Sequence, residues 1–281
     1  MATRVFDKAD TIRATLKSVG LFSKWPHAPF DALCAAAQLW QYGKGEAVIQ
    51  AAEPTKGLYV LMQGSLLNGR SWPNGKQMAS TIVRPGWPFG FLPAWDGLEA
   101  PFTAQARVDC LVILIPRAAL MGLIRDDPER LREFIDFLTV AHRQDIEGLQ
   151  VRIAGSLRCL MAKYLAYLSR PSVHMSFDDP ASVDPTASDV TQDEMAAMLG
   201  TARQTVNKMM KRMEREGILV RRGNTIRVVN FLALLAAMEE DEPLYPAWRE
   251  QIVAWHEKLK SAEAKDSARP GAPAPGAPLH R

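Results

Sequence analysis

The stretch that most constrains this chain runs from Thr191 to Val229, TQDEMAAMLGTARQTVNKMMKRMEREGILVRRGNTIRVV. Thr191 and Glu194 form a T-x-x-E capping box, which predicts a helix start. Met195, Met198 and Leu199 give that helix one apolar side, and Gly200 supplies the backbone freedom of a tight turn. Thr201 and Gln204 form a second box, T-x-x-Q, opening a helix with the apolar stripe Val206, Met209, Met210 and Met213. Gly217 reads as its stop. Ile218 to Val220 then reads as a strand, Arg221 to Asn224 as a turn, and Thr225 to Val229 as the return strand. Helix, turn, helix and two-stranded ribbon is the layout of a winged helix-turn-helix, whose second helix enters the DNA major groove.

The other side of that second helix carries Arg203, Gln204, Asn207, Lys208, Lys211, Arg212 and Arg215. Arg and Lys suit guanine edges or phosphate, and Gln and Asn can pair with adenine. Between Thr201 and Arg227 eight Lys or Arg stand against Glu214 and Glu216, a net +6 inside a chain of formal net charge +3. Phosphate attraction is therefore concentrated here. A solvated charged helix beside a hairpin is the plainer explanation of such a run. Two capping boxes, a glycine turn and a basic wing in series outweigh it. The candidate DNA contacts are Thr201, Arg203, Gln204, Asn207, Lys208, Lys211, Arg221 and Arg222.

A length of 281 residues predicts about two domains, and 47% hydrophobic with 23% charged residues allows both to bury cores. No apolar run approaches the ~18 residues of a membrane helix. The opening MATRVFDKAD lacks a signal-peptide core. A soluble cytoplasmic protein with no membrane partner is expected. Cys34, Cys110 and Cys159 lie far apart and form no CxxC, so neither a disulfide framework nor a metal site is indicated, and no cofactor is expected. There is no Ser-His-Asp set, metal triad or GxxxxGK[ST] loop, so no catalytic residues are assigned and an enzyme has no support.

Residues 1 to about 35 read as helical, with Ile12, Leu16 and Val19 at one spacing and Phe30, Leu33 and Cys34 at another. From Leu39 to Pro116 short apolar stretches alternate with turn signals, among them Gly43-Lys44-Gly45, Pro73-Asn74-Gly75 and Pro85-Gly86. Leu58 to Met62, Gln77 to Val83 and Cys110 to Ile115 are such stretches, which predicts an antiparallel sandwich or barrel-like roll. Asp127-Pro128 opens a long helix with Pro at a favoured first position. Its stripe is Leu131, Phe134, Ile135, Leu138, Ile146, Leu149 and Ile153, interrupted by Ala141, His142 and Asp145. A rod of about 26 residues spans about 39 Å. It buries more easily against a twin than against one small roll, so it reads as a parallel dimer seam. Ala154-Gly155-Ser156 reads as a break or hinge, and Leu157 to Leu168 as a further helix. Pro171 to Asp189 reads as a loop with one short strand near Met175 to Phe177. Phe231 to Met238 and Trp248 to Leu259 read as helices, and the tail ARPGAPAPGAPLHR as low-complexity and disordered.

The expected fold class is α+β. It comprises an N-terminal antiparallel β-roll (20–126), a long dimerisation helix (127–153), a C-terminal winged helix-turn-helix (154–235) and an extension (236–281). In that order the chain resembles the cyclic-AMP receptor protein and fumarate-nitrate regulator family of bacterial transcription factors. The likeness covers residues 20 to 235. It is carried by TQDEMAAMLGTARQTVNKMMKRMEREGIL, and less specifically by GLYVLMQGSL (57–66) and PGWPFG (85–90). The resemblance implies a homodimer on a roughly palindromic operator in double-stranded DNA, with a small-molecule effector and RNA polymerase as further partners. It places Arg203, Gln204 and Lys208 at base-reading positions. The family often has Glu where this chain has Gln204, so the operator sequence does not carry over.

Family members that bind the cyclic nucleotide carry a Gly-Glu pair and then an Arg followed by Ser or Thr. The matching stretch here is PFGFLPAWDGLEAPFTAQA (88–106), with Phe91 at the Glu and Phe102 at the Arg, before Thr103. No Lys or Arg lies between Arg84 and Arg107. A phosphate buried without a cation costs several kcal/mol, so cyclic AMP is not the expected effector. Trp87, Phe89, Phe91, Trp95 and Phe102 imply either a cavity filled by its own aromatics or one that takes an apolar or flat ligand. The effector-region candidates are Phe89, Gly90, Phe91, Leu92, Phe102, Thr103 and His142. A four-cysteine iron–sulfur cluster cannot form within one subunit, and His142, His27, Cys34 and Cys110 are the side chains whose type suits an axial haem ligand. The expected mechanism is a two-state equilibrium in which the roll and long helix shift the hinge and re-aim the second helices. The alternatives are a constitutive regulator whose roll is a ligand-free scaffold, and a haem-based gas or redox sensor.

Overall fold

The computed structural model describes residues 2–6, 8–71, 77–169, 186, 187, 190–223, 225–241, 244 and 246–267. The chain opens with β1 (Thr3–Val5), α1 (Ala9–Ser18), α2 (Gly20–Ser23) and α3 (His27–Ala36). Seven strands follow: β2 (Gln38–Tyr42), β3 (Ala47–Ile49), β4 (Gly57–Gln63), β5 (Leu66–Ser71), β6 (Gln77–Val83), β7 (Pro88–Phe89) and, after α4 (Phe91–Asp96), β8 (Thr103–Ala106). Then come β9 (Cys110–Pro116), α5 (Arg117–Ile124), the long α6 (Pro128–Ala154) and α7 (Leu157–Leu168). The C-terminal part holds β10 (Thr186–Ala187), α8 (Gln192–Leu199), α9 (Arg203–Arg215), β11 (Leu219–Arg222), β12 (Thr225–Val228), α10 (Phe231–Met238) and α11 (Pro246–Ser267).

Two antiparallel sheets make the N-terminal roll, with strand orders β1-β2-β9-β4-β7 and β3-β8-β5-β6. The central strands β4 and β9 are buried on both faces over most of their length, which suits their near-continuous apolar runs. Leu58 and Val60 on β4, and Ile113 and Ile115 on β9, meet Leu16, Phe22 and Leu33 from the leading helices. Each such side chain contributes about 1.5–3 kcal/mol. The opening segment departs from an all-helical expectation. Thr3–Val5 pairs antiparallel with Gln41, Trp40 and Leu39 of β2. It is a strand because an open sheet edge lies beside it. The roll's sheet and core therefore take in residues ahead of position 20, where the sequence placed the domain start.

Asp127 caps α6, its Oδ1 accepting from the backbone N–H of Glu129 (3.1 Å) and Arg130 (3.0 Å). Pro128 follows at the first helical position. The apolar stripe of α6 divides. Phe134 is buried in the roll's own core, with Phe137 and Leu138 against it, while Ile135 and Ile146 stand exposed. The side chains of Leu149 and Ile153 lie outside the described residues.

One compact unit is built chiefly from Met1–Gln150 and also takes in Asp193–Arg203. The second holds the described residues between 151 and 192 and from 204 onward. In the second, α7 starts where Ser156 Oγ accepts from the Cys159 N–H at 3.1 Å. Asp241 Oδ2 in turn accepts from the Ser156 N–H at 2.6 Å. The helix break expected at Ala154-Gly155-Ser156 is thus built by a cap.

The ribbon after α9 differs from expectation in two ways. It has three strands, in the order β10-β12-β11, because Thr186–Ala187 pairs with β12. Arg221 and Arg222 lie within β11 rather than in the turn, paired to Ile226 and Thr225. Of the expected turn, Gly223 has φ +59 and Asn224 lies outside the described residues. The expected strand at Met175–Phe177, the Pro73-Asn74-Gly75 turn and the C-terminal tail also lie outside them. The last helix, Pro246–Ser267, is longer than the expected Trp248–Leu259. Among the described residues no helix is long and apolar enough to cross a membrane.

Candidate functional site

The tight turn after α8 forms as its sequence predicts. Gly200 has φ +63, and the Thr201 N–H donates to the Ala196 carbonyl at 3.0 Å. A Cβ at Gly200 would meet nothing within 4 Å, so the glycine serves the backbone angle rather than space. Gly217 (φ +70) ends α9, and the Ile218 N–H donates back to the Met213 carbonyl at 3.0 Å.

Between these turns α9 buries Val206, Met210 and Met213. Arg203, Gln204, Lys208, Lys211, Arg212 and Arg215 are exposed, Thr201 and Asn207 half-buried, and Arg222 and Arg227 exposed on the ribbon. One helix thus presents a cationic and amide side to solvent over a methionine-rich floor. Arg203 Nη1 lies 3.1 Å from Asp193 Oδ2, but both groups are well exposed, and such pairs contribute only about 0–1 kcal/mol.

Arg221 does not sit with these cations. Its Nη2 donates to Glu214 Oε2 at 2.6 Å and its Nη1 to Asn207 Oδ1 at 3.2 Å. The guanidinium is half-buried and ties the ribbon to α9, so the expectation that Arg221 contacts DNA is replaced by an internal strut. Its sequence neighbour Arg222 points outward, as strand alternation requires. The hydrogen bond from Arg221 holds the Glu214 carboxyl below its usual range. A depressed carboxylate stabilises the fold above its unfolded value of about 4.3, and that contribution is lost as pH falls through the folded value. Arg221→Gln is expected to cost about 1–2 kcal/mol at pH 7 and progressively less in acid, as read by urea titrations across pH. A cost that does not shrink in acid contradicts the strut.

The effector-region candidates do not converge. Phe89 is buried and stacks on Tyr59, ring centroids 5.5 Å apart. Gly90 (φ +80) starts α4, and a Cβ there would lie 3.0 Å from Ile49 Cδ1 and 3.2 Å from Tyr59 Cδ2. Phe91 turns to α6, its ring 4.7 Å from Phe137 and 6.0 Å from Phe134, while Trp95 stacks on Phe134 at 5.6 Å. Leu92 is 57% exposed, Phe102 is half-buried and His142 stands exposed on α6. The Thr103 hydroxyl accepts from the Ala51 N–H at 3.1 Å. The rings on α6 were beyond the reach of sequence reasoning, since some 43 to 46 positions separate them from Phe91. So was Arg70, which approaches this stretch from β5 and donates to the Pro101 carbonyl at 3.2 Å from an exposed position. Among the side chains whose type suits haem, His27 is exposed, and burial pushes the Cys34 and Cys110 thiols up, away from a ready thiolate.

Two family models match the chain: a cyclic nucleotide-binding domain over residues 39–127 and a Crp-like helix-turn-helix domain over residues 161–237. The chain is 25% identical over 213 residues to the CRP-like cAMP-activated global transcriptional regulator of Mycobacterium tuberculosis, covering 76% of this chain and 93% of that one. It is 26% identical over 199 residues to the transcriptional regulator LdrP of Thermus thermophilus, covering 69% and 93%. In fold it is similar to FixK2 from Bradyrhizobium japonicum, with a TM-score of 0.62 at 19% identity over 74% of this chain and 98% of that one.

Proposed function

The chain belongs to the CRP/FNR family of DNA-binding transcriptional regulators, and from that premise we propose that it works in the cytoplasm as a homodimer, seating two copies of α9 in successive major grooves of a palindromic operator. The observation that carries this reading is the side of α9 that holds Arg203, Gln204, Lys208 and Lys211 in solvent above buried Val206, Met210 and Met213. Such a side suits base edges and phosphates together. Pairing of subunits is supported by α6, where Ile135 is 49% and Ile146 43% exposed. The two are eleven residues apart, about three turns, and so share a face that the roll does not cover. RNA polymerase is the further partner of this assembly.

Control by cyclic AMP is not part of the proposal. The stretch 85–106 has no cation of its own, and Phe91 occupies the position of the ribose-binding Glu. The effector is another molecule. A second reading, regulation without any effector, is favoured by the ring contacts of Phe91 and Trp95 with Phe134 and Phe137, which occupy the space between α4 and α6.

Sedimentation and duplex binding test the core of the proposal. The protein is expected to sediment as a dimer, Ile146→Glu as a monomer, and duplex affinity to fall steeply as salt rises. A wild-type monomer, or binding indifferent to salt, contradicts it. Cyclic AMP is expected to leave the thermal midpoint unchanged, and a dose-dependent rise would restore the nucleotide as effector.

A further inference from the structure

Arg107 follows β8 in the roll, yet its guanidinium grips the first turn of α8. Nε donates to Glu194 Oε1 at 2.6 Å and Nη2 to Glu194 Oε2 at 2.7 Å, a two-pronged pairing between residues 87 positions apart. The arginine is itself fixed. Its backbone N–H donates to the Ser65 carbonyl at 3.0 Å and its Nη1 to the Ser65 hydroxyl at 3.1 Å. The side chains are only 11% and 21% exposed, which separates this pair from the exposed ion pairs of the surface. Consistently, Asp193–Arg203 groups with Met1–Gln150.

We propose that the Arg107–Glu194 clasp is an internal restraint on DNA binding, holding the first helix of the helix-turn-helix to the roll until it is released. The proposal rests on the DNA-binding reading above. In helix-turn-helix docking the first helix crosses the sugar-phosphate backbone while the second enters the groove. The N-terminal turn of a helix, with its unpaired N–H groups, is where a phosphate is received. The clasp occupies that turn of α8. The same turn carries Asp193, the ion-pair partner of Arg203. A signal that breaks the clasp therefore frees the end of α8 and loosens the surroundings of a base-reading arginine in one step.

The decisive variant is Arg107→Gln, because charge and restraint predict opposite results. Loss of a cation alone lowers affinity for a polyanion. Loss of a restraint raises it, by about fivefold or more if the coupling is of ordinary allosteric size. The probe is a fluorescein-labelled random-sequence duplex of about 30 base pairs, long enough for both subunits. Arg107→Gln and Glu194→Gln are each expected to bind it more tightly than wild type at equal salt. Amide exchange in α8 should be faster in both variants without DNA. The doubly reversed R107E/E194R protein re-forms the pair and should return toward wild-type affinity. Should Arg107→Gln fail to fold, Arg107→Lys decides, since it keeps the charge while losing the two-pronged grip and should bind more tightly only if the restraint is real; Glu194→Gln alone does not, because loss of an anion by itself raises affinity for a polyanion. Affinity unchanged or lowered in folded Arg107→Gln overturns the restraint while leaving DNA binding standing. Wild-type protein that ignores duplex DNA at every salt concentration overturns both.

Discussion

Arg203→Ala is expected to weaken binding to a selected duplex by about 1–3 kcal/mol in each half-site and to relax base choice at one position of that half-site. A symmetric dimer loses the contact twice, so the measured loss is about double. Arg203 opens α9, is exposed, and pairs with the solvent-exposed Asp193 carboxylate. Removing it should leave the free protein nearly as stable as before, so the loss appears in the complex. Anisotropy titrations against single-base variants of the duplex make the measurement. Lys211→Ala is the useful contrast: as a phosphate contact it should weaken all sequences alike and reduce the salt slope by about 1 per contact. If Arg203→Ala keeps the wild-type base preference at full affinity, α9 does not enter the groove by its N-terminal end.

Trp255→Ala is expected to destabilise the C-terminal unit by about 3–5 kcal/mol, the cost of emptying a large aromatic site in a packed core. Trp255 is 1% exposed and meets the Phe231 ring edge-on, centroids 5.6 Å apart. Ile252 and Leu259, three and four positions either side of it, are buried too. Phe231 begins α10, which lies against both α7 and α11. The last helix, α11, is therefore part of the core it shares with α10, although it lies outside both matched family segments. A loss of this size is roughly a fifth or more of the stability of an ordinary domain. Urea unfolding of the intact chain should show it, and duplex affinity should fall with the folded fraction. A variant within about 1 kcal/mol of wild type would mean that α11 merely rests on this unit.

The DNA-binding half was legible where local chemistry decides structure. Glycines at positive φ and apolar positions three and four apart act within a few residues of themselves, as do Asp127 and Pro128 at the start of α6. What escaped was decided by distant partners. Thr3–Val5 is a strand only because β2 offers an edge. Arg221 reads as a wing cation until Glu214 and Asn207 are seen beside it. Glu194 reads as a capping-box residue, a role local to α8, and nothing nearby in sequence announces Arg107. Phe91 reads in sequence as the residue standing where the family carries a ribose-binding Glu, but its contacts with Phe134 and Phe137 depend on how α6 returns past α4. The far end of α11, rich in Ala, Glu and Lys, has no apolar stripe to mark it, so the sequence pattern stops at Leu259.

If two copies of this chain read duplex DNA through paired α9 helices, selection from a random duplex pool, with sequencing of the bound fraction, will reveal it. The expected product is an inverted repeat whose half-sites are centred about one helical turn, ~34 Å, apart. A pool that remains unenriched, or that yields a single half-site with no symmetric mate, contradicts it.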